Sequence, residues 1–132
     1  MITKKSIKSR GNPEEIIRVL NLIDKDLKWI IGDMYSINDE INEKLKNKKT
    51  TLTKKEIIDT LRESEQWVWG TIIGLESNVN IPKNKEIKSE FAGRDLQIPE
   101  SIIEIRIQDA EEIILFSKDK KLIERITKKN EK

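Results

Sequence analysis

The sequence predicts an α+β domain: a small, mostly antiparallel sheet of about four or five strands, packed by three or four helices. Three observations predict it. Helix-like and strand-like stretches are mixed without the strict alternation that builds a parallel sheet. Two short apolar runs near the C-terminus are separated by only a turn, which is a hairpin pattern. The length, 132 residues, suits one hydrophobic core and is too short for two. The domain is expected over 12–128, after a frayed basic tail at 1–11 and before a short tail at 129–132.

Asn12-Pro13-Glu14-Glu15 reads as a helix start. The Asn12 side chain can accept from a free amide, proline suits the first helical position, and the glutamates favour the positive end of the dipole. Ile16, Ile17, Leu20 and Ile23 then form one apolar stripe that ends near Asp24. Leu27 to Met34 is a strand with Leu27, Trp29 and Ile31 on one face. After Ser36, Ile37, Ile41 and Leu45 recur every four residues, which favours a short amphipathic helix over a strand for this stretch. Lys44 to Lys49 is a solvated connection.

The strongest local signal is Thr53-Lys54-Lys55-Glu56, a capping box in which threonine and glutamate each satisfy a free backbone amide. Leu52 and Ile57 stand at hydrophobic-staple positions, Ile57, Ile58 and Leu61 face inward, and the helix runs to about Ser64. Gln66 to Leu75 is a central strand, apolar on both faces, whose Gly70 and Gly74 mark close packing against backbone or a bend.

Residues 76–100 are long for a connection, so a short strand or turn is expected within them. Pro82 and Pro99 bracket them, Phe91 and Leu96 are candidate anchors, and Gly93-Arg94-Asp95 is the turn signal. Ile103, Ile105 and Ile107 alternate with Glu104 and Arg106, as on a half-exposed strand. Gln108-Asp109-Ala110-Glu111 turns the chain, Ile113 to Phe116 returns, and Ser117 caps a last helix carrying Leu122, Ile123 and Ile126.

The chain contains neither cysteine nor histidine. That removes disulfides, thiolate nucleophiles, cysteine-based metal sites and every mechanism built on an imidazole base. No segment has the ~20 apolar residues of a membrane span, and the basic N-terminus lacks the apolar run of a signal peptide, so a cytoplasmic protein is expected. The 26 basic and 24 acidic residues give a net charge of +2, which supplies no global pull toward nucleic acid or membranes. Abundant Ile, Lys and Asn, with their A/T-rich codons, point to an AT-rich bacterial or phage genome and discount arguments from lysine alone.

Carboxylates are the remaining candidates for catalysis. Asp24, Asp26 and Asp33 fit Mg²⁺ chemistry in residue type, but aspartates at a helix-to-strand turn also bond their own backbone. Glu104-Ile105-Arg106 with Asp95 is similar in spacing to metal-dependent nucleases, except that arginine replaces their lysine and does not readily lose a proton. Alternating charges on the wet face of a strand account for the same residues. The glycines stand alone at 11, 32, 70, 74 and 93, so no phosphate-binding loop is present. The basic clusters Lys4–Arg10, Lys44–Lys55 and Lys118–Lys132 have no interleaved aromatics of the kind a single-strand platform needs.

Three tryptophans beside one tyrosine and two phenylalanines make an unusual share. Trp67 and Trp69 are expected on one strand face, either as a core layer with Trp29 or as an open anchor for a protein partner. Glu100, Glu104, Asp109, Glu111 and Glu112 oppose only Arg106, a local acidic patch that meets either a basic partner or the domain's own lysines.

The stretch Leu52 to Leu75, with Glu65-Gln66-Trp67-Val68-Trp69-Gly70, and the ending Asp109-Ala110-Glu111-Glu112-Ile113-Ile114 resemble parts of small bacterial α+β proteins, among them immunity proteins of polymorphic toxin systems. The resemblance spans about half of the chain, and it implies a cytosolic protein that binds and blocks a toxin's catalytic domain without catalysis of its own. The expected function is therefore non-enzymatic protein binding. It uses no cofactor and no metal, and its candidate surface is Trp67, Trp69, Glu104, Asp109, Glu111 and Glu112. The alternatives are a nucleic-acid accessory protein and a carboxylate-dependent, nuclease-like metalloenzyme.

Overall fold

The chain begins as a strand rather than a tail. In the computed structural model, which describes residues 2–46, 51–81, 87 and 96–130, β1 (Thr3–Lys8) pairs antiparallel with the strand Glu112–Ser117. Its sequence, TKKSIK, carries only Ile7 as a distinct apolar signal, because an edge strand buries little of itself. Lysines on such an edge also discourage pairing with other chains.

Eight further elements follow: α1 (Pro13–Asn21), β2 (Lys28–Ser36), α2 (Asp39–Leu45), α3 (Lys54–Leu61), β3 (Trp67–Leu75), β4 (Ile103–Gln108), β5 (Glu112–Ser117) and α4 (Lys120–Asn130). The five strands form one sheet in the order β1-β5-β4-β3-β2, with every neighbouring pair antiparallel. Four helices and this sheet make a single small α+β domain, as the sequence predicts.

The predicted caps are present. Asn12 Oδ1 accepts from Glu14 N, and Thr53 and Glu56 close the capping box in both directions. Leu52 and Ile57 are both buried, and Leu52 exchanges two backbone bonds with Trp29. Asp119, not Ser117, caps α4 by accepting from Leu122 N at 3.1 Å, while Ser117 Oγ accepts from Asp119 N one step earlier. Ile37 lies outside α2, because Asn38 takes the capping position and accepts from Glu40 N and Ile41 N.

One core fills the space between the sheet and the helices. Ile16 and Leu20 of α1, Ile57 and Leu61 of α3, and Leu122 and Ile126 of α4 pack on Trp29, Ile72, Ile105 and Leu115. Gly74 seats this layer closely: an added Cβ would stand 2.8 Å from the Trp29 ring. The opposite face of the sheet is covered as well, and this differs from the half-exposed strand expected. Ile30, Ile73 and Leu75 are buried with Ile98, while Ile114 and Phe116 are buried with Leu96. Leu96 is thus an anchor of the long connection, whereas Phe91 and the Gly93-Arg94-Asp95 turn lie outside the described residues.

Covering the second face changes the setting of Glu104 and Arg106. Both are buried, and Arg106 Nε donates to Glu104 Oε2. Gln97 reaches down from the connection with its backbone N at 2.8 Å and its Nε2 at 3.0 Å from the same carboxylate. The Arg106 guanidinium also lies 4.0 Å from the Phe116 ring centroid. Buried charges survive only when paired and hydrogen-bonded, and this pair meets that condition.

Candidate protein-interaction surface

The antiparallel order gathers several chain segments at one end of the sheet. The ends of β1 and β2, the start of β3 and the β4–β5 turn all meet there, since Lys8 pairs with Glu112, Gln108 with Glu112, and Ser36 with Trp67. Gly11 completes the end. Its φ of +76° suits glycine, its carbonyl accepts from Trp67 N at 2.8 Å, and a Cβ there would stand 1.9 Å from the Trp67 oxygen.

Two irregularities in the β2–β3 pairing aim the aromatics. From Gly32↔Thr71 to Tyr35↔Trp69, β2 carries one residue more than β3; from Tyr35↔Trp69 to Ser36↔Trp67, β3 carries one more than β2. Asp33, at φ 52°, absorbs the first, and Met34 turns inward over Gly70. The second separates the two tryptophans that strict alternation would put on one face. Trp67 enters the helix-side core, fully buried, with its Nε1 donating to Leu61 O at 2.9 Å. Trp69 instead stacks on Tyr35, with ring centroids 4.4 Å apart and planes 13° from parallel.

The stacked pair faces outward. Tyr35 is 39% and Ile37 55% exposed, and Trp69 is half-buried. The turn that presents them is firmly held. Asn42 Oδ1 accepts from Ser36 N at 2.8 Å, Asn42 Nδ2 donates to Ser36 O at 2.9 Å, and Ile37 N donates to Gln66 O at 3.1 Å. Exposed apolar groups on a rigid support lose little entropy when covered, which favours their use as anchors.

Carboxylates surround them. Asp39 and Glu43, one turn apart on α2, line a cleft of about 590 Å³ whose wall includes Tyr35 and Trp69. Glu63 and Glu65 border Ile37 on the other side. Glu43 already holds Lys46 at 2.8 Å, and the hydrogen bond and attraction raise the Lys46 pKa. At the β4–β5 turn, Asp109 and Ala110 both have φ 52°, the paired left-handed geometry of a tight hairpin, and Ala110 N donates to Val68 O at 2.8 Å. Among the described residues, the three non-glycine residues with positive φ, Asp33, Asp109 and Ala110, all lie at this end. Such strain is stored preferentially where a surface has work to do.

The expected surface is therefore partly corrected. Trp67 and Glu104 are 0% exposed and cannot contact a partner, the first because of the β3 bulge and the second because Gln97 closes over its carboxylate. Trp69, Asp109, Glu111 and Glu112 do come to one end of the sheet. Asp109 and Glu111 are exposed, while Glu112 is half-buried and accepts from Ser6 Oγ. None of these three carboxylates is in an ion pair among the described residues.

Tyr35, Ile37, Asp39, Glu43, Glu63 and Glu65 complete the surface and were missed by sequence reasoning. A signal for Ile37 existed in Ser36-Ile37-Asn38-Asp39-Glu40, where the asparagine cap leaves the isoleucine outside the helix. Asp24 and Asp26 precede β2, at the opposite end of the sheet from Ser36, and Asp95 lies outside the described residues. Among the described residues no three carboxylates converge to hold a metal ion, and no helix is long and apolar enough to cross a membrane.

Comparison of the chain with protein-family models, curated proteins and solved structures finds no match.

Proposed function

We propose that this domain is a non-enzymatic protein-binding module, of the immunity type, that neutralises a cognate toxin in the cytoplasm by covering its catalytic domain. The observation that carries the reading is the stacked Tyr35–Trp69 pair, exposed beside Ile37 on a rigid turn and ringed by carboxylates. Aromatic anchors in the centre of a contact supply most of its binding energy, and a charged rim speeds encounter with a partner of opposite sign. At the β4–β5 turn Asp109 and Glu111 extend the rim as far as Lys8 and Arg10, which share a groove with Glu111. The rim's charge favours a basic partner, such as the nucleic-acid-facing cleft of a nuclease toxin, over a phosphate backbone.

The test is direct binding, by calorimetry, to the catalytic domain encoded beside this chain's own gene. A one-to-one complex is expected, weakened at least tenfold by Tyr35→Ala or Ile37→Ala and associating more slowly at high salt. No complex, or a complex indifferent to both substitutions, would overturn the reading.

A further inference from the structure

The cleft beside the stacked pair has a more specific chemistry than a general acidic patch. Tyr35 and Trp69 line it on the sheet side, and from α2 come two carboxylates, Asp39 and Glu43, spaced one helical turn apart on the same face, with Lys46 beyond them. Asn42, between them, is committed to Ser36 by bonds at 2.8 and 2.9 Å, so α2 is fixed in place against β2. The two pairing irregularities fix the aromatic side, since the one at Asp33 turns Met34 inward and Tyr35 outward and the one on β3 separates Trp69 from the buried Trp67.

We infer that this cleft receives an arginine side chain from the partner protein, its guanidinium lying against the Tyr35–Trp69 pair and donating to Asp39 and Glu43. The inference rests on the protein-binding reading and names the group that this surface recognises. Arginine fits better than lysine for three reasons. Its planar head stacks on aromatic rings, its fork of donors spans carboxylates, and it sheds its weakly held water more easily than an ammonium does. The Glu43–Lys46 contact does not block entry, because both side chains are more than half exposed and solvent already screens the pair. An acidic side chain is repelled at the same position.

The test uses the indole N–H resonances of the three tryptophans. Trp29 and Trp67 are 0% exposed and serve as internal controls, while Trp69, assigned by its loss in Trp69→Phe, reports the cleft. The probes are capped Gly-Arg-Gly, Gly-Lys-Gly and Gly-Glu-Gly peptides, titrated to millimolar concentration. The arginine peptide is expected to shift the Trp69 signal saturably, the lysine peptide more weakly and the glutamate peptide not at all. The Asp39→Asn/Glu43→Gln variant, with Trp29 and Trp67 signals unchanged, is expected to bind the arginine peptide at least threefold more weakly. An unmoved Trp69 signal, an equal response to all peptides, or undiminished affinity in the variant overturns the inference. If the natural partner still binds and is lost only on Asp109→Asn/Glu111→Gln, the arginine cleft is refuted while the protein-binding reading stands.

Discussion

Replacing Glu104 with leucine tests how the covered face of the sheet is held. Glu104 is 0% and Arg106 4% exposed, so neither can exchange its partner for water without opening the connection above them. Leucine removes the carboxylate that accepts from Arg106 Nε and from both nitrogens of Gln97. Breaking a buried pair by deleting one member costs about 3–5 kcal/mol, because the remaining charge stays desolvated. For a domain of this size the corresponding fall in Tm is about 10–20 °C. The double variant Glu104→Leu/Arg106→Met removes both charges but still takes the acceptor from the two Gln97 nitrogens, so it is expected to be destabilised, yet by less than the sum of the two single variants, each of which leaves one charge buried. Urea unfolding followed by circular dichroism, with free energies from linear extrapolation, measures all the variants, including Arg106→Met. A loss below about 1 kcal/mol for Glu104→Leu, or a double variant as unstable as the sum of the singles, would refute the coupled-pair account.

Three further outcomes follow from the same geometry. Gly11→Ala is expected to lose at least about 1–3 kcal/mol, because φ +76° and the Trp67 carbonyl leave no place for a Cβ; an unchanged thermal midpoint would contradict this. Trp67→Phe is expected to cost about 1–3 kcal/mol by removing the indole donor to the Leu61 carbonyl and leaving a void where the larger ring was buried, whereas Trp69→Phe stays within about 1 kcal/mol; equal costs in urea unfolding would show that the two rings are not distinguished by burial. The Arg62 guanidinium hydrogen-bonds Glu14 and attracts its charge, holding that carboxyl below the ordinary carboxylate range. A depressed folded pKa means the stabilisation is complete above the unfolded value and is lost as pH falls through the folded one, so Arg62→Gln raises the Glu14 midpoint in an NMR titration and removes this acid-side dependence.

What was legible in the sequence was what local physics specifies. The Thr53–Glu56 capping box, the Asn12-Pro13 helix start, and the alternation of Ile103, Ile105 and Ile107 each depend on residues within one or two turns of each other. These signals were enough to define the α+β class and eight of the elements. The Gln108-Asp109-Ala110-Glu111 turn was legible for the same reason, since its polar residues fall between two apolar runs, and the structure places Asp109 and Glu111 at the surface.

The remaining features needed partners far along the chain. Thr3–Lys8 becomes a strand only because β5 offers it an edge more than a hundred residues away, as Ser6 and its partner Glu112 illustrate. The assignment of Glu104 and Arg106 to the interior depended on Gln97 and the connection that covers them, since the charges themselves match a wet strand face equally well. The tryptophans were decided by a single extra residue in each of two paired strands. Side chains alternate with a period of two, so each one-residue slip inverts the faces beyond it. That is why the sequence alone determined the α+β class and the local elements, while the tertiary structure decided the pairing of β1, that Trp67 is core and that Trp69, with Tyr35, is surface.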